Sequence, residues 1–348
     1  MGVHLVNPAG TVLAQDTTID NPQSSALRLY KNAGSTLNMT VQRVAMKNND
    51  ATDGEDGFQL EVEGSGVANI LVDDSDFLNN QRSGIDALVE QNAGAVLNLT
   101  VQSSLFDNNG GLPSAVNFVT GGSATGRVKL FNNTMSNGGS TAMNVVSINT
   151  SKLDATISQN TVTNPGIGGG LRVQAEDDST IKALVNDNNI SVNPSRLPME
   201  FRTAALANGD TASLDLTLEG NTVNGVDTAF VPGALMEMAS YPGGVTTTAM
   251  SMCVNLATSQ GAGGNTVNGT PGVDVFAYTL RQRTGTTYEL QGLPAATSSV
   301  AVIQAHVAGN NPGGSLAGAT FVAGPGGTTI VNYTPGTCSA PTTPTLPS

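Results

Sequence analysis

The chain contains no tryptophan, and its aromatic share is only 4%. Stacking platforms for sugar rings are therefore scarce. Charged residues make up 12%, about half the usual share of ~25%. Fourteen basic residues stand against 27 acidic ones, for a net charge of −13. A nucleic-acid-binding surface needs a basic footprint, and this balance excludes one. The two histidines, His4 and His306, lie at opposite ends of the chain. No apolar run reaches the roughly 18 residues of a membrane-spanning helix, so no membrane span is expected. Met1-Gly2-Val3-His4 has neither a charged n-region nor an apolar h-region, so no secretory signal is read there.

What the chain does have is repetition. Asn32-Ala33-Gly34 runs on to Leu37-Asn38-Met39-Thr40-Val41-Gln42, and the same phrase returns as Asn92-Ala93-Gly94 to Leu97-Asn98-Leu99-Thr100-Val101-Gln102. A copy at half that period begins at Ala68-Asn69-Ile70-Leu71-Val72. A second marker, Asn followed by a polar and an apolar residue, recurs at Asn133, Asn160, Asn188, Asn221 and Asn265, with Ser75 and Ser104 in the same slot earlier. The period holds near ~28 residues and loosens toward the C-terminus, the mark of one supersecondary unit stacked on its copies. Within each unit the alternation is two-fold. Leu97, Leu99 and Val101 point one way, and Asn98, Thr100 and Gln102 the other. Three short strands per coil, parted by Gly and Asn turns, predict an all-β fold, a parallel β-helix with an aliphatic interior that includes Leu60, Ile85, Leu99, Val128, Leu171 and Leu216. A body of this kind tolerates a hydrophobic content of 39%, because each coil buries only a narrow core.

On these motifs, over roughly residues 1 to 270, the chain resembles the right-handed parallel β-helix repeats of pectate-lyase-like enzymes and of large bacterial surface proteins. The resemblance implies that stacked asparagines at a turn bond to one another along the axis, so that Asn133, Asn160, Asn188 and Asn221 form a ladder. It specifies architecture far better than activity, because one fold hosts many chemistries. Asn7-Pro8-Ala9-Gly10-Thr11-Val12-Leu13 already looks like part of a repeat. We therefore expect a piece of a longer secreted protein that opens inside a coil.

Three segments are expected: a β-helix over 1–250, a C-terminal coil and capping module over 251–336, and a Thr/Pro-rich tail over 337–348. In the second, Thr279 to Tyr288 reads as a basic hairpin. Ser298-Ser299, an apolar stripe of Val300, Ile303 and Val307, and a Gly309-Asn310-Asn311-Pro312 stop read as one short helix. The tail, with Pro341, Pro344 and Pro347, reads as a stiff linker. Cys253 and Cys338 are the only cysteines. Paired, they close the last module at a gain of ~4–5 kcal/mol in the chain-entropy model; two separate thiols are the alternative. Pairing, together with the tail, points to an oxidising, extracellular setting.

Candidate chemistry is sparse. Glycosidic hydrolysis needs two carboxylates across the bond. Asp73-Asp74 and Glu176-Asp177-Asp178 are adjacent acids, but strand neighbours point to opposite faces, so only Asp74 and Asp76 could project together. The motifs of polygalacturonase-like members are missing, and no catalytic residue is assigned. Asp50, Asp53, Glu55 and Asp56 crowd one Gly-containing turn, which suits a structural calcium ion; a solvated acidic turn is the simpler reading. No other cofactor is expected. The functional expectation is a secreted bacterial surface β-solenoid of structural or adhesive kind, with a surface glycan or protein as ligand and end-to-end self-association through its open coils. The alternative is a carbohydrate-active lyase or glycosidase whose site lies in the longer loops of residues 190 to 250.

Overall fold

The structure, a computed structural model, describes residues 2–49, 55–90, 94–111, 113–166, 168–192, 197–225, 234–241, 249–257, 263–269, 276–283, 285–324 and 332–348. Strands of successive coils pair in parallel to form a β-solenoid with three faces. Face A is one eleven-stranded sheet; an eighteen-stranded sheet bends to make faces B and C. Seven coils carry one strand on each face. They run from Phe58–Glu63, Val67–Asp73 and Asp76–Leu78 to Ala234–Tyr241, Ser251–Leu256 and Thr266–Asn268. In the first two coils, faces B and C are a single bent strand, Gly10–Asp20 and Thr36–Lys47. Asp16 and Arg43 in the left-handed region make those bends.

Register follows from the two-fold alternation, because a slip of one residue would turn every aliphatic side chain outward. Leu99 stacks between Ile70 and Val128 on face B, all three fully buried. On face C, Met46, Phe77, Phe106, Met135 and Val162 form one inward row, and the Phe77 and Phe106 rings stack 4.7 Å apart. Gly126 is set by its neighbour: a Cβ there would meet the Phe118 ring at 2.7 Å. Leu60, Ile85, Leu171 and Leu216 are buried as the pattern predicts.

The corner between faces B and C is built from two residues. The first adopts a positive φ, as at Ser103, Asn132, Gln159 and Asp187. The second is buried and bonds along the axis. Asn133, Asn160 and Asn188 each donate Nδ2–H to the next asparagine's Oδ1 at 2.9–3.0 Å and their own backbone N–H to the same oxygen. Asn221 and Asn265 extend the ladder to Asn311 in the same way. Each Nδ2 also donates to a carbonyl of the preceding coil, for example Asn160 to Leu130 O at 2.9 Å. The corner thus buries backbone groups without orphaning them. A second buried ladder, with Asn80 donating to Asn109 Oδ1 at 2.9 Å, lies beyond face C in the early coils.

Residues 251–336 continue the same sheets. Phe276–Arg281 pairs with face A and Thr287–Gln291 with face B, so the expected hairpin at Thr279 to Tyr288 is instead a corner between two parallel ladders. Gly285 with φ +77° lies in that corner. The helix Val300–Asn310 buries Ile303 and Val307 in the common core and ends on Asn311, the last member of the long ladder. Cys253 and Cys338 are disulfide-bonded. Beyond Cys338 the tail runs back along the outside of face B. Ser339 N–H donates to Asp215 at 3.1 Å, and Asn38 Nδ2 donates to Ser348 Oγ at 3.1 Å.

The first coil is open. Among the described residues, Val3–Val6 and Gly10–Asp20 each pair on one side only, with the second coil. Val3, which points into the interior in register with Leu27, is 48% exposed.

Candidate functional site

Among the outward positions of face A, one stretch differs from the rest. Leu171–Glu176 presents Arg172, Gln174 and Glu176; Met199–Ala204 presents Glu200 and Arg202; the next two strands present Glu237 and Arg281. Parallel register stacks Arg172, Glu200 and Glu237 in one row, and Gln174, Arg202, Ala239 and Arg281 in the next. Strand neighbours in such a sheet lie ~4.8 Å apart, so Arg172, Gln174, Glu176, Glu200, Arg202 and Glu237 form one polar array, from which Ala239 separates Arg281.

The array is closely interlinked. Arg172 Nε lies 3.5 Å from Glu200 Oε2, while Arg202 binds the other oxygen, Glu200 Oε1. Arg172 also donates to Gln174 Oε1, and Gln174 Nε2 donates to Glu176 Oε1. Although they face outward, Gln174 and Glu237 are only 5% and 7% exposed. Burial is the main cause that raises the Glu176 carboxyl above the usual range, with Arg172 opposing it. Coil length also changes at this level: successive ladder asparagines are 27 and 28 residues apart up to Asn188, then 33 to Asn221 and 44 to Asn265.

Further toward the N-terminus, face A carries plainer polar rows. Asn144 donates to Asn117, which donates to Asp86 at 2.7 Å, and Arg28 pairs with Glu61 at 3.4 Å.

Of the acidic turn, Asp50 and Asp53 lie outside the described residues. Glu55 accepts from Ser25 Oγ at 3.0 Å. Asp56 is wholly buried: its Oδ1 accepts the Ser83 amide at 2.8 Å, and its Oδ2 has no partner among the described residues. Burial first, and then the charge of Asp86, push the Asp56 carboxyl up to about 7. Among the described residues, no three His, Cys, Asp or Glu side chains are arranged to hold a metal ion.

Asp74 and Asp76 do meet, at the bend between faces B and C, beside a cavity of about 300 Å³. There Asp76 is raised by burial and by Asp74, and Arg43 is held by Asp16 at 2.5 Å. Asp16, Asp74 and Asp76 all line this cavity, and of the three Asp16 is paired with Arg43.

The ladder asparagines and the cysteines come together as the sequence suggested, whereas the face A array was not singled out. Its signal was present in the run Arg172-Val173-Gln174-Ala175-Glu176 and in Glu200-Phe201-Arg202, alternating charged strands in a chain otherwise poor in charge. Comparison of the chain with protein-family models, with curated proteins and with solved structures gave no match.

Proposed function

We propose that this chain is an extracellular β-solenoid segment of structural or adhesive kind that engages a hydroxyl-rich ligand, a surface glycan, through face A between Arg172 and Arg281. The array of Arg172, Gln174, Glu176, Glu200, Arg202 and Glu237 carries this reading. It offers planar guanidinium, amide and carboxylate groups at a repeat of ~4.8 Å on a rigid sheet, and such groups bind hydroxyls by paired hydrogen bonds. The disulfide supports an oxidising compartment. The experiment is binding to a panel of immobilised polysaccharides. Glu200→Ala, which removes the carboxylate that both arginines share, is expected to abolish retention, while Glu61→Ala on the same face is expected to leave it intact. Retention on no polysaccharide, or equal retention by both variants, refutes the proposal.

A second reading, polysaccharide cleavage, draws on one observation: Glu176, raised by burial, is linked through Gln174 and Arg172 to the ion-paired carboxylate Glu200. Two carboxyl groups held in unlike environments are the raw material of acid–base chemistry on sugars. Unsaturated or reducing ends released from a polysaccharide, and lost in Glu176→Gln, would establish it.

The open first coil supports end-to-end association. Its unpaired strand edge and half-exposed interior side chains are what a further rung covers. Light scattering across a concentration series tests this; one particle mass at every concentration argues against it.

A further inference from the structure

The tail from Cys338 to Ser348 has a periodic burial that the rest of the chain does not explain. Cys338, Pro341, Pro344 and Pro347 are its less exposed members, with Pro344 buried, while every residue between them is exposed. A period of three is that of a polyproline II helix, which has three residues per turn and no internal hydrogen bonds. One edge of that helix therefore faces the solenoid.

The dimensions agree. Cys253, Asp215, Lys182, Asp154, Arg127, Asn98, Asn69 and Asn38 occupy one outward register row of face B. The seven strand spacings between its ends, at ~4.8 Å each, span ~34 Å. The ten residue steps from Cys338 to Ser348, at ~3.1 Å each, span ~31 Å. The tail is anchored at the C-terminal end of the row by the disulfide and by Ser339 on Asp215, and at the N-terminal end by Asn38 on Ser348. Beneath it Asn98 donates to Asn69, and Asn69 to Asn38, at 2.8 Å each. This gives the row a run of linked amides, and Asn98 and Thr100, though outward-facing, are only 3% and 2% exposed.

We propose that the outer surface of face B, from Cys253 to Asn38, is a binding groove for an extended polyproline-type peptide, and that residues 338–348 are its ligand in cis. Prolines suit the seat because they carry no N–H to leave unpaired over a sheet whose own bonds are complete. A preformed helix also loses little entropy on docking.

The chain lacks tryptophan, so Leu346→Trp in the full-length oxidised protein gives a single fluorescent reporter. Its anisotropy is expected to be that of the whole solenoid. A second change, Asn98→Arg, fills the seat and is expected to lower the anisotropy to that of a free peptide while circular dichroism still shows the folded solenoid. Asn144→Arg on face A is expected to change neither. In a full-length variant whose three tail prolines are glycine, a labelled peptide of the sequence Ser339 to Ser348 is expected to bind saturably, and Asn98→Arg is expected to abolish that binding. A mobile indole in Leu346→Trp, with the rest of the chain native, overturns the proposal. So does an immobile indole that ignores Asn98→Arg, or a peptide that does not bind, since the disulfide alone would then hold the tail.

Discussion

Asn160 is the sharpest place to test what holds the solenoid in register. It is fully buried, and its side chain serves four parties, Asn133, Leu130, Asn188 and the Ser158 carbonyl. Oδ1 accepts the backbone N–H and the Nδ2–H of Asn133 at 3.1 and 3.0 Å, and its own Nδ2 donates to Leu130 O at 2.9 Å and to Asn188 Oδ1 at 3.0 Å. Asn160→Ala leaves the Asn133 amide without its acceptor and takes one partner each from the Asn133 side chain and the Leu130 carbonyl. At ~1–3 kcal/mol for a buried group left unsatisfied, with partial relief at the two groups that keep other partners, the expected cost is about 3–5 kcal/mol. Asn160→Ser is expected to cost about half as much. The ladder already uses serine in this role, Ser104 Oγ accepting from the Ser75 amide at 3.2 Å, but a serine cannot also reach Leu130. Asn108→Ala removes an exposed amide that bonds to Asn79 at 2.9 Å and sets alanine at φ +52°, and is expected to cost about 1–1.5 kcal/mol, nearly all of it backbone strain. Urea unfolding of the three variants, followed by circular dichroism with the slope checked against the native chain, ranks them. Asn160→Ala no more costly than Asn108→Ala refutes the reasoning, because the corner would then satisfy its buried groups without the ladder.

Three further outcomes follow from the same structure. Asp56 is neutral-favouring in the folded state and ordinary in the unfolded chain, so its contribution is fully present below pH 3.8 and is lost as pH rises through about 7; carrying a carboxyl over that interval is worth on the order of 4 kcal/mol. Asp56→Asn is thus expected to gain stability over the native chain between pH 4 and 7 and to hold that gain above 7; equal pH profiles from denaturant titrations would exclude it. Leu99→Asp places an unpaired carboxylate between Ile70 and Val128 and is expected to cost at least ~4 kcal/mol or to abolish folding, whereas an unchanged melting midpoint would mean that Leu99 is not interior. Reduction of Cys253–Cys338, which closes an 85-residue separation, is expected to lower stability by up to ~4–5 kcal/mol; mass spectrometry without reductant, finding two free thiols, would remove the basis for this.

The interior of the solenoid was legible because period-two alternation and a fixed coil length are written in single residues: Leu97, Leu99 and Val101 identify a strand, its face and its register together. The long ladder was legible because an asparagine there precedes a polar and an apolar residue coil after coil. Asn80 and Asn109 bond as tightly, yet each follows another asparagine at the end of a very short strand, where amide residues are common for turn chemistry alone. The corner at Gly285 misled because a Gly between two polar strands is also what a hairpin shows. Face A stayed hidden for a further reason. Arg172, Glu200 and Glu237 are separated by coils of changing length, so only the parallel register brings them into one row. The prolines of the tail announced a stiff, extended segment, but the surface that receives it is assembled from eight different coils.

The return of the tail along face B has a mechanical consequence. Ser348 stands beside Asn38 in the second coil, and Val3 opens the first, so both ends of this chain emerge at one pole, with the helix Val300–Asn310 toward the other. A pull applied between Val3 and Ser348 does not stretch the stack of coils along its length. It lifts the tail away from face B one contact at a time, from the Ser348 end, because peeling loads a single attachment where shear would load them all. About ten residues then pay out, on the order of 30 Å at ~3.1 Å each, before the Cys253–Cys338 bond halts the run and passes the load to the strand Ser251–Leu256. Up to that point the load passes between Val3 on the first coil and the part of the tail still attached, so the contacts of the tail, and not the ladders between coils, set the first yield.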